Sequence, residues 1–272
     1  MNKTILRIFL YLILIAVTLI MIQPFYFMIL MSTYRTQQLG EVLSLRAGGY
    51  LLENLKTVID SGFLHYYWNS IQSAVLFTIL SVFICALAGY GFAKFHFRGK
   101  KVLYVLVVGS MMIPAQLGLI GYVVQMRSMH LIGTLWPIIL GDLASCFGVF
   151  WMTQYISSSV PKAIMEAARM DGCSEIRLFF QIVLPMIKPA LATLGIIQFV
   201  FSWNYYLRPL MTISDPELYT IPLGIASLST RYQTNYAAQI TALSLGTIPT
   251  IIIFIFGARS FISSLTSGAV KG

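Results

Sequence analysis

The chain has 272 residues, of which 58% are hydrophobic and only 10% are charged. Soluble proteins carry about 25% charged residues, so this composition excludes a soluble domain and predicts a polytopic membrane protein. The net charge of +9 does not indicate nucleic-acid binding. The basic residues lie at the ends of apolar runs, where anionic lipid and membrane insertion account for them.

Six apolar runs are each long enough to cross about 30 Å of hydrocarbon at about 1.5 Å per residue. They cover about residues 9–31, 70–93, 102–124, 135–155, 189–210 and 239–258. The first run follows Lys3 and Arg7 as a signal peptide would, but it is too long and lacks a small-residue cleavage site. The sequence therefore predicts an all-α fold with six transmembrane helices, in a single domain over residues 1–272.

The basic residues also predict the orientation of these spans. If the amino terminus is cytoplasmic, the inner segments hold twelve of the eighteen Lys and Arg residues. Those twelve are Lys3, Arg7, Lys94, Arg98, Lys100, Lys101, Lys162, Arg169, Arg177, Lys188, Arg259 and Lys271, and the outer six are Arg35, Arg46, Lys56, Arg127, Arg208 and Arg231. This excess predicts that both termini are cytoplasmic.

Two segments between spans have features of their own. Residues 51–59 of the first outer segment have the apolar spacing of a short amphipathic helix. Residues 94–101, Lys-Phe-His-Phe-Arg-Gly-Lys-Lys, form a basic turn that holds two spans on the inner side. No internal repeat is visible in the chain.

The region from Glu166 to Pro189 is the one charged, Gly-broken, Pro-punctuated stretch in the second half of the chain. Ser159 is predicted to cap a helix with Pro161 in its first turn. That helix would run to about Met170 and end at Gly172, because glycine accepts a left-handed backbone without steric cost.

A second short helix follows. Ser174 is predicted to cap it, and Glu175 places a negative charge at the positive end of the helix dipole. The helix should stop near Pro185, with Pro189 opening the next span. Residues 157–188 would thus form a cytoplasmic helix-turn-helix, which either docks into a groove of a partner protein or lies as an amphipathic segment on the inner leaflet.

This stretch resembles the EAA motif of ABC importer permeases. The matching residues are Glu166-Ala167-Ala168, Asp171-Gly172-Cys173, Phe179, Ile182 and Leu184-Pro185, with Cys173 in place of the usual alanine. The resemblance implies that residues 157–188, hereafter the EAA loop, fit a cleft on a separate ATP-hydrolysing subunit. The coupling residues it implies are Glu166, Ala167, Ala168, Arg169, Asp171, Gly172, Cys173, Phe179 and Pro185.

Further segments resemble the MalG-like carbohydrate subgroup of these permeases. They are Leu51–Leu55, Asn69-Ser70, Met112–Gln116, Phe147–Phe150, Ser202–Tyr206, Pro209-Leu210 and Leu265–Gly272. The resemblance implies a type I ABC importer fold in a bacterial plasma membrane and a sugar or oligosaccharide as substrate. It also implies four kinds of partner: a homologous second permease, two ATP-binding subunits, an extracytoplasmic sugar-binding protein and membrane lipid.

No catalytic residue is predicted. The chain contains no Gly-x-x-x-x-Gly-Lys-Ser/Thr phosphate loop, so ATP and Mg are expected on the partner ATPase and no cofactor or metal on this chain. The alternative function is an ATP-independent secondary transporter or channel, which should show repeated halves or ionisable relays. A membrane-embedded enzyme is disfavoured, because His65, His96 and His130 lie in three different loops.

A transport path needs hydrogen-bonding groups within the membrane. The candidates for this path are Gln72, Gln116, Asp142, Gln198, Trp203, Asn204, Tyr205 and Tyr206. Aromatic faces beside amides suit sugars, although interfacial aromatics are common in any membrane protein and the amides of Gln198 and Asn204 could join spans instead. Asp142 is expected to pair with Arg208, to contact sugar hydroxyls, or to reach outer water.

Overall fold

The computed structural model describes residues 3–40, 46–228 and 235–269. Within these ranges every regular element is helical, which confirms the all-α prediction. The helices are α1 (Lys3–Met31), α2 (Leu51–Asp60), α3 (Phe63–Lys94), α4 (Lys100–Ser110), α5 (Leu119–Ser128), α6 (Trp136–Leu140), α7 (Cys146–Ser159), α8 (Lys162–Met170), α9 (Glu175–Leu178), α10 (Leu184–Met186), α11 (Lys188–Trp203), α12 (Leu207–Thr212), α13 (Ile221–Ser227) and α14 (Tyr236–Ala269). The last residues of the carboxyl-terminal motif, 270–272, lie outside the described ranges.

The chain divides into two units. One comprises Met1–His65 and Leu223–Ile248, and the other Tyr66–Pro222 and Pro249–Gly272. The single domain over residues 1–272 stays a prediction.

In the first unit, one buried amide holds α2 in place. Asn54 Nδ2 donates to the carbonyl oxygens of Ser32 and Tyr34, both at 2.8 Å. Val58 on the same helix is fully buried, whereas Leu52 is 80% exposed. This contrast confirms the amphipathic helix predicted at residues 51–59.

Among the described residues, three unbroken helices are long and apolar enough to cross a membrane: Thr4–Met31, Phe63–Lys94 and Tyr236–Ala258. Two helix pairs reach that length only together, with a bend of 100° between Lys100–Ser110 and Ala115–Ser128 and of 79° between Glu175–Met186 and Lys188–Trp203. Further breaks separate α6 from α7 and α11 from α12, so continuous helices over 102–124, 135–155 and 189–210 are wrong predictions. The count of six spans stays a prediction.

Local chemistry explains two of these breaks. Pro114 follows α4 and disfavours helical geometry in the residue before it. Between α6 and α7, Asp142 has a left-handed backbone with φ of 59°, which aspartate tolerates better than most residues. Ser145 then starts α7 by accepting a hydrogen bond from the Gly148 amide at 3.1 Å.

The second unit has one continuous core, formed by side chains from α3, α7, α8, α9 and α11. Met152, Leu178 and Leu194 are completely buried there. Gly89 lets α3 approach α7 closely, because a Cβ atom at residue 89 would lie 2.6 Å from Met152 Cβ. The helices of the EAA loop thus share their core with the long apolar helices.

Candidate functional site

The turn of the EAA loop has the geometry of a Schellman motif. The Cys173 amide donates to the Ala168 carbonyl at 2.9 Å, and the Gly172 amide donates to the Arg169 carbonyl at 3.0 Å. Gly172 has φ of +77°, a conformation that costs other residues about 1–2 kcal/mol. This confirms that the first helix ends at Met170 and that glycine closes it.

The predicted start of that helix is wrong. Ser159 is the last residue of α7, and Pro161 is the N-cap of α8, with an extended backbone of φ −63° and ψ 139°. Proline fixes its own φ near this value and drives the preceding residue into an extended conformation. Pro161 therefore separates two helices, and Ser159 does not cap the second.

The second short helix begins as predicted but continues differently. Ser174 Oγ accepts from the Arg177 amide at 3.4 Å and caps α9. After Leu178 the backbone forms a π segment over Phe179–Val183, then a short turn through Pro185 before α11 begins. Pro189 is the second residue of α11, as predicted for the next span.

Glu175 joins the loop together and ties it to α3. Its carboxylate accepts from Arg169 Nε at 2.6 Å, from Arg169 Nη2 at 3.3 Å and from the Tyr90 hydroxyl at 2.8 Å. The hydrogen bond from Arg169 holds the pKa of Glu175 below its ordinary value and raises the pKa of Arg169. The turn between α8 and α9 is thus fixed by both backbone and side chains.

One face of the EAA loop is buried in the core of the second unit. Met165, Leu178, Phe179 and Val183 have exposures of 2% or less. The Phe179 ring lies 5.3 Å from that of Tyr90. Phe179, a predicted coupling residue, is therefore in a position to support the loop rather than to form its outer surface.

The opposite face of the loop is exposed. Glu166, Ala167, Asp171 and Pro185 all lie on this side or at its edge. Two apolar residues that the sequence did not single out, Met170 and Ile176, are 88% and 74% exposed. Both flank the glycine turn. Their position as apolar residues beside that turn is the one sequence signal that could have identified them.

A second cluster, formed by Asp142, Arg208, Tyr122 and Tyr205, is hereafter the Arg208 cluster. Arg208 Nη2 donates to Asp142 Oδ2 at 2.5 Å, which confirms the predicted ion pair. The guanidinium carbon lies 4.6 Å from the Tyr205 ring centre and 5.0 Å from that of Tyr122, so both rings make cation–π contacts. The Arg208 side chain is 6% exposed and that of Asp142 is 43% exposed.

Backbone geometry leaves room for this cation. A Cβ atom at residue 141 would overlap the Arg208 guanidinium, so a larger residue there would have to displace the end of the Arg208 side chain. Arg208 Nε is buried and makes no hydrogen bond within the described residues. The arginine therefore depends on Asp142 and on the two aromatic rings for its stabilisation.

Beside Asp142 lies a cavity of about 420 Å³. Its polar lining includes Asp142, Ser145 and Gln198, and its apolar lining includes Ile197 and Phe201. Gln198 Nε2 donates to Ser145 Oγ at 2.6 Å, so this amide joins α11 to the start of α7. Two of the eight predicted path residues, Asp142 and Gln198, are thus brought to one cavity.

The other path candidates are distributed differently. Gln116 is exposed in the 3₁₀ segment after Pro114, and Asn204 Nδ2 donates to the Val200 carbonyl at 2.8 Å. Trp203 is 2% exposed, and its ring centre lies 5.5 Å from Phe199 and 5.6 Å from Tyr67. Tyr205 belongs to the Arg208 cluster, and Tyr206 precedes α12. Contact of these residues with a substrate stays a prediction.

Within the described ranges, no three His, Cys, Asp or Glu side chains lie close enough to hold a metal ion.

Comparison with known proteins identifies the class. Residues 81–265 match the family described as binding-protein-dependent transport system inner membrane component. The arabinooligosaccharides transport system permease protein AraQ of Bacillus subtilis is 35% identical over 81% of this chain and 79% of its own length. The lactose transport system permease protein LacG of Rhizobium radiobacter is 30% identical over 91% of this chain and 90% of its own length. A crystal structure of a bacterial ABC transporter involved in import of the acidic polysaccharide alginate contains a chain of the same fold, with a TM-score of 0.78. That chain is 22% identical, and the match covers 96% of this chain and 98% of that one.

Proposed function

Because the chain belongs to the binding-protein-dependent transport system inner membrane components and is a permease subunit of an ABC importer, we propose that its substrate is a sugar or oligosaccharide. Relatives named for arabinooligosaccharides, lactose and maltodextrin transport support this substrate class. We further propose that the EAA loop connects the membrane helices to an ATP-hydrolysing subunit.

The observation that carries the coupling proposal is the two-sided construction of the EAA loop. Its buried face shares a core with α3, α7 and α11, while Met170 and Ile176 project from the other side. Interiors are close-packed and transmit displacement rather than absorbing it. Movement of a partner seated on the exposed face would therefore reach the membrane helices.

The proposed substrate path includes the cavity beside Asp142. A sugar offers hydroxyl groups together with C–H faces, and the cavity provides a carboxylate, an amide and the apolar residues Ile197 and Phe201. We assign Gln116, Trp203, Asn204, Tyr205 and Tyr206 to the same path, where each either supports the wall or contacts the substrate. Such polar groups inside a membrane segment are costly unless they serve pairing or transport.

The proposed assembly follows from this role. It contains a homologous second permease, two ATP-binding subunits that hold ATP and Mg, and an extracytoplasmic sugar-binding protein. The permease would cross a bacterial plasma membrane six times, with both termini and the EAA loop in the cytoplasm. The excess of basic residues on that side supports this orientation.

Substitution of Gly172 tests the coupling role. Gly172→Ala strains the turn without filling space, because no atom lies within 4 Å of the added Cβ. Gly133→Ala is a matched control, since Gly133 also has a left-handed backbone, with φ of +80°, and equally open surroundings. In the reconstituted importer we expect both variants to lose about 1–2 kcal/mol of stability, and only Gly172→Ala to lower sugar uptake per ATP hydrolysed.

Equal uptake per ATP in the two variants would contradict the coupling role of the loop. The substrate class is tested separately, by competition of labelled sugar uptake with unlabelled oligosaccharides and with amino acids. Sugar transport by the purified chain alone without ATP would favour a secondary transporter or channel instead.

A further inference from the structure

A cavity of about 700 Å³ in the second unit shares no lining residue with the Arg208 cluster. It forms where α3 ends at Lys94, the chain turns, and α4 begins at Lys100. Residues of α7, among them Gln154, complete its wall. The helix α3 is long and apolar enough to span a membrane, and the end of such a helix lies near the lipid headgroups.

The cavity is cationic. Lys100, Lys101 and His96 line it, and none of its described lining residues is acidic. Lys100 Nζ donates to the Phe95 carbonyl at 2.9 Å, which directs the ammonium group to the turn and leaves two of its three N–H groups for other partners. Gly99 starts α4 with a left-handed backbone, φ +83°, so the positive end of the helix dipole adds to the lysine charges.

The remaining wall combines aromatic rings and Val102 with polar side chains of α7. The Phe92 ring centre lies 6.1 Å from that of Phe97 and 5.5 Å from that of Tyr104. Gln154 Nε2 donates to the Tyr104 hydroxyl at 2.8 Å and fixes the orientation of that ring. Val102, at the mouth, is 64% exposed.

We propose that this cavity binds the headgroup of an anionic phospholipid such as phosphatidylglycerol. The phosphate would lie between Lys100, Lys101 and the first turn of α4, and the glycerol and first acyl carbons against Phe97 and Val102. A soluble anion would use the cations but not the aromatic wall. The combination of both at the end of a membrane-length helix fits a lipid.

The test uses the purified full chain in nanodiscs containing equal amounts of phosphatidylglycerol and phosphatidylcholine. Native mass spectrometry counts the lipids that remain bound after release. We expect wild type to retain phosphatidylglycerol preferentially. Lys100→Gln/Lys101→Gln should weaken its retention by about fivefold for each lysine removed. The control Lys162→Gln/Arg177→Gln removes two exposed charges from the EAA loop and should leave retention unchanged.

A second variant keeps the side-chain shape while lowering the local positive charge. Gln154→Glu retains the side-chain shape and can accept a hydrogen bond from the Tyr104 hydroxyl, but it places a carboxylate in the cavity. It should also weaken retention of phosphatidylglycerol. An unchanged count in both cavity variants, or an equal loss in the control, would overturn the proposal. Displacement of short-chain phosphatidylglycerol by millimolar inorganic phosphate would assign the site to free phosphate and overturn the lipid assignment.

Discussion

Two ion pairs in different parts of the second unit show how surroundings change the consequence of the same chemistry. Arg169 and Glu175 join two short helices at the surface of the EAA loop, with side-chain exposures of 39% and 41%. In the Arg208 cluster the cation is only 6% exposed. Water and salt can replace either partner of the exposed pair, so it contributes little to stability. A buried guanidinium has no such replacement.

The two pairs also differ in the further contacts that their charged groups make. Glu175 has a second partner in the Tyr90 hydroxyl, so it keeps one hydrogen bond if Arg169 is removed. Arg208 Nε has none within the described residues, and the flanking rings of Tyr122 and Tyr205 are its other stabilising contacts. The exposed pair is therefore suited to adjust geometry, whereas the buried pair determines stability.

The largest effect is expected from Asp142→Asn, which keeps shape and tolerance of the left-handed backbone but leaves the buried Arg208 unpaired. We expect a loss of about 3 kcal/mol in unfolding free energy, typical of breaking a buried pair. Arg208→Met should cost less, because Asp142 is 43% exposed and can be hydrated. Denaturant unfolding of the purified chain in detergent measures both. If Asp142→Asn lowers the unfolding free energy no more than Arg208→Met does, the two residues do not differ in this way. Sugar uptake by the Asp142→Asn variant at the wild-type level would remove a substrate role for Asp142.

The packing of Arg208 is tested at Gly141. Gly141→Ala places a Cβ on the guanidinium and should cost about 1–3 kcal/mol, as overpacking of cores does. Gly121→Ala is the control, since nothing lies within 4 Å of its added Cβ and alanine favours its helix by about 0.5–1 kcal/mol. In the same measurement, Gly141→Ala should lower the unfolding free energy and Gly121→Ala should raise it. A change of the same sign in both variants would mean that Arg208 moves aside freely.

A smaller effect on stability is expected in the exposed pair. Arg169→Gln should lower unfolding free energy by less than about 1 kcal/mol, because Glu175 retains the Tyr90 hydroxyl. It should nevertheless reduce sugar uptake per ATP hydrolysed in the reconstituted importer, since α8 and α9 lose their side-chain link. Arg177→Gln removes the same charge from the same loop without touching Glu175, and it should leave uptake unchanged. Similar uptake by both variants would argue against a geometric role for Arg169.

Features fixed by neighbouring residues could be predicted from the sequence. Gly172 and Ser174 set the turn and the cap through bonds to atoms within five residues. The Asp142–Arg208 pair was one of three roles expected for Asp142, and it rested on two opposite charges at similar depth in apolar segments.

Features that depend on distant packing could not be predicted. The hydrogen bond from Tyr90 to Glu175 joins residues 85 positions apart, and the fit of Gly141 to Arg208 needs the coordinates of both helices. Apolar runs predict candidate spans but not the breaks in their helices, since hydrophobicity is the same in a continuous helix and in a bent pair. The π segment at Phe179–Val183 was likewise not predicted.

The smallest expected effect is a dependence on pH in the exposed pair. The hydrogen bond from Arg169 lowers the pKa of Glu175 in the folded chain, so its contribution is fully present above the unfolded pKa of a glutamate. It should be lost as pH falls through the lowered folded value. Glu175→Gln cannot titrate, so the stability difference between wild type and this variant should stay constant from neutral to mildly acidic pH and shrink only below the ordinary glutamate range. Denaturant unfolding at a series of pH values measures that difference. If the stability difference between wild type and Glu175→Gln changed around neutral pH, another titrating group would be responsible. The pH dependence would then not come from the Arg169–Glu175 pair.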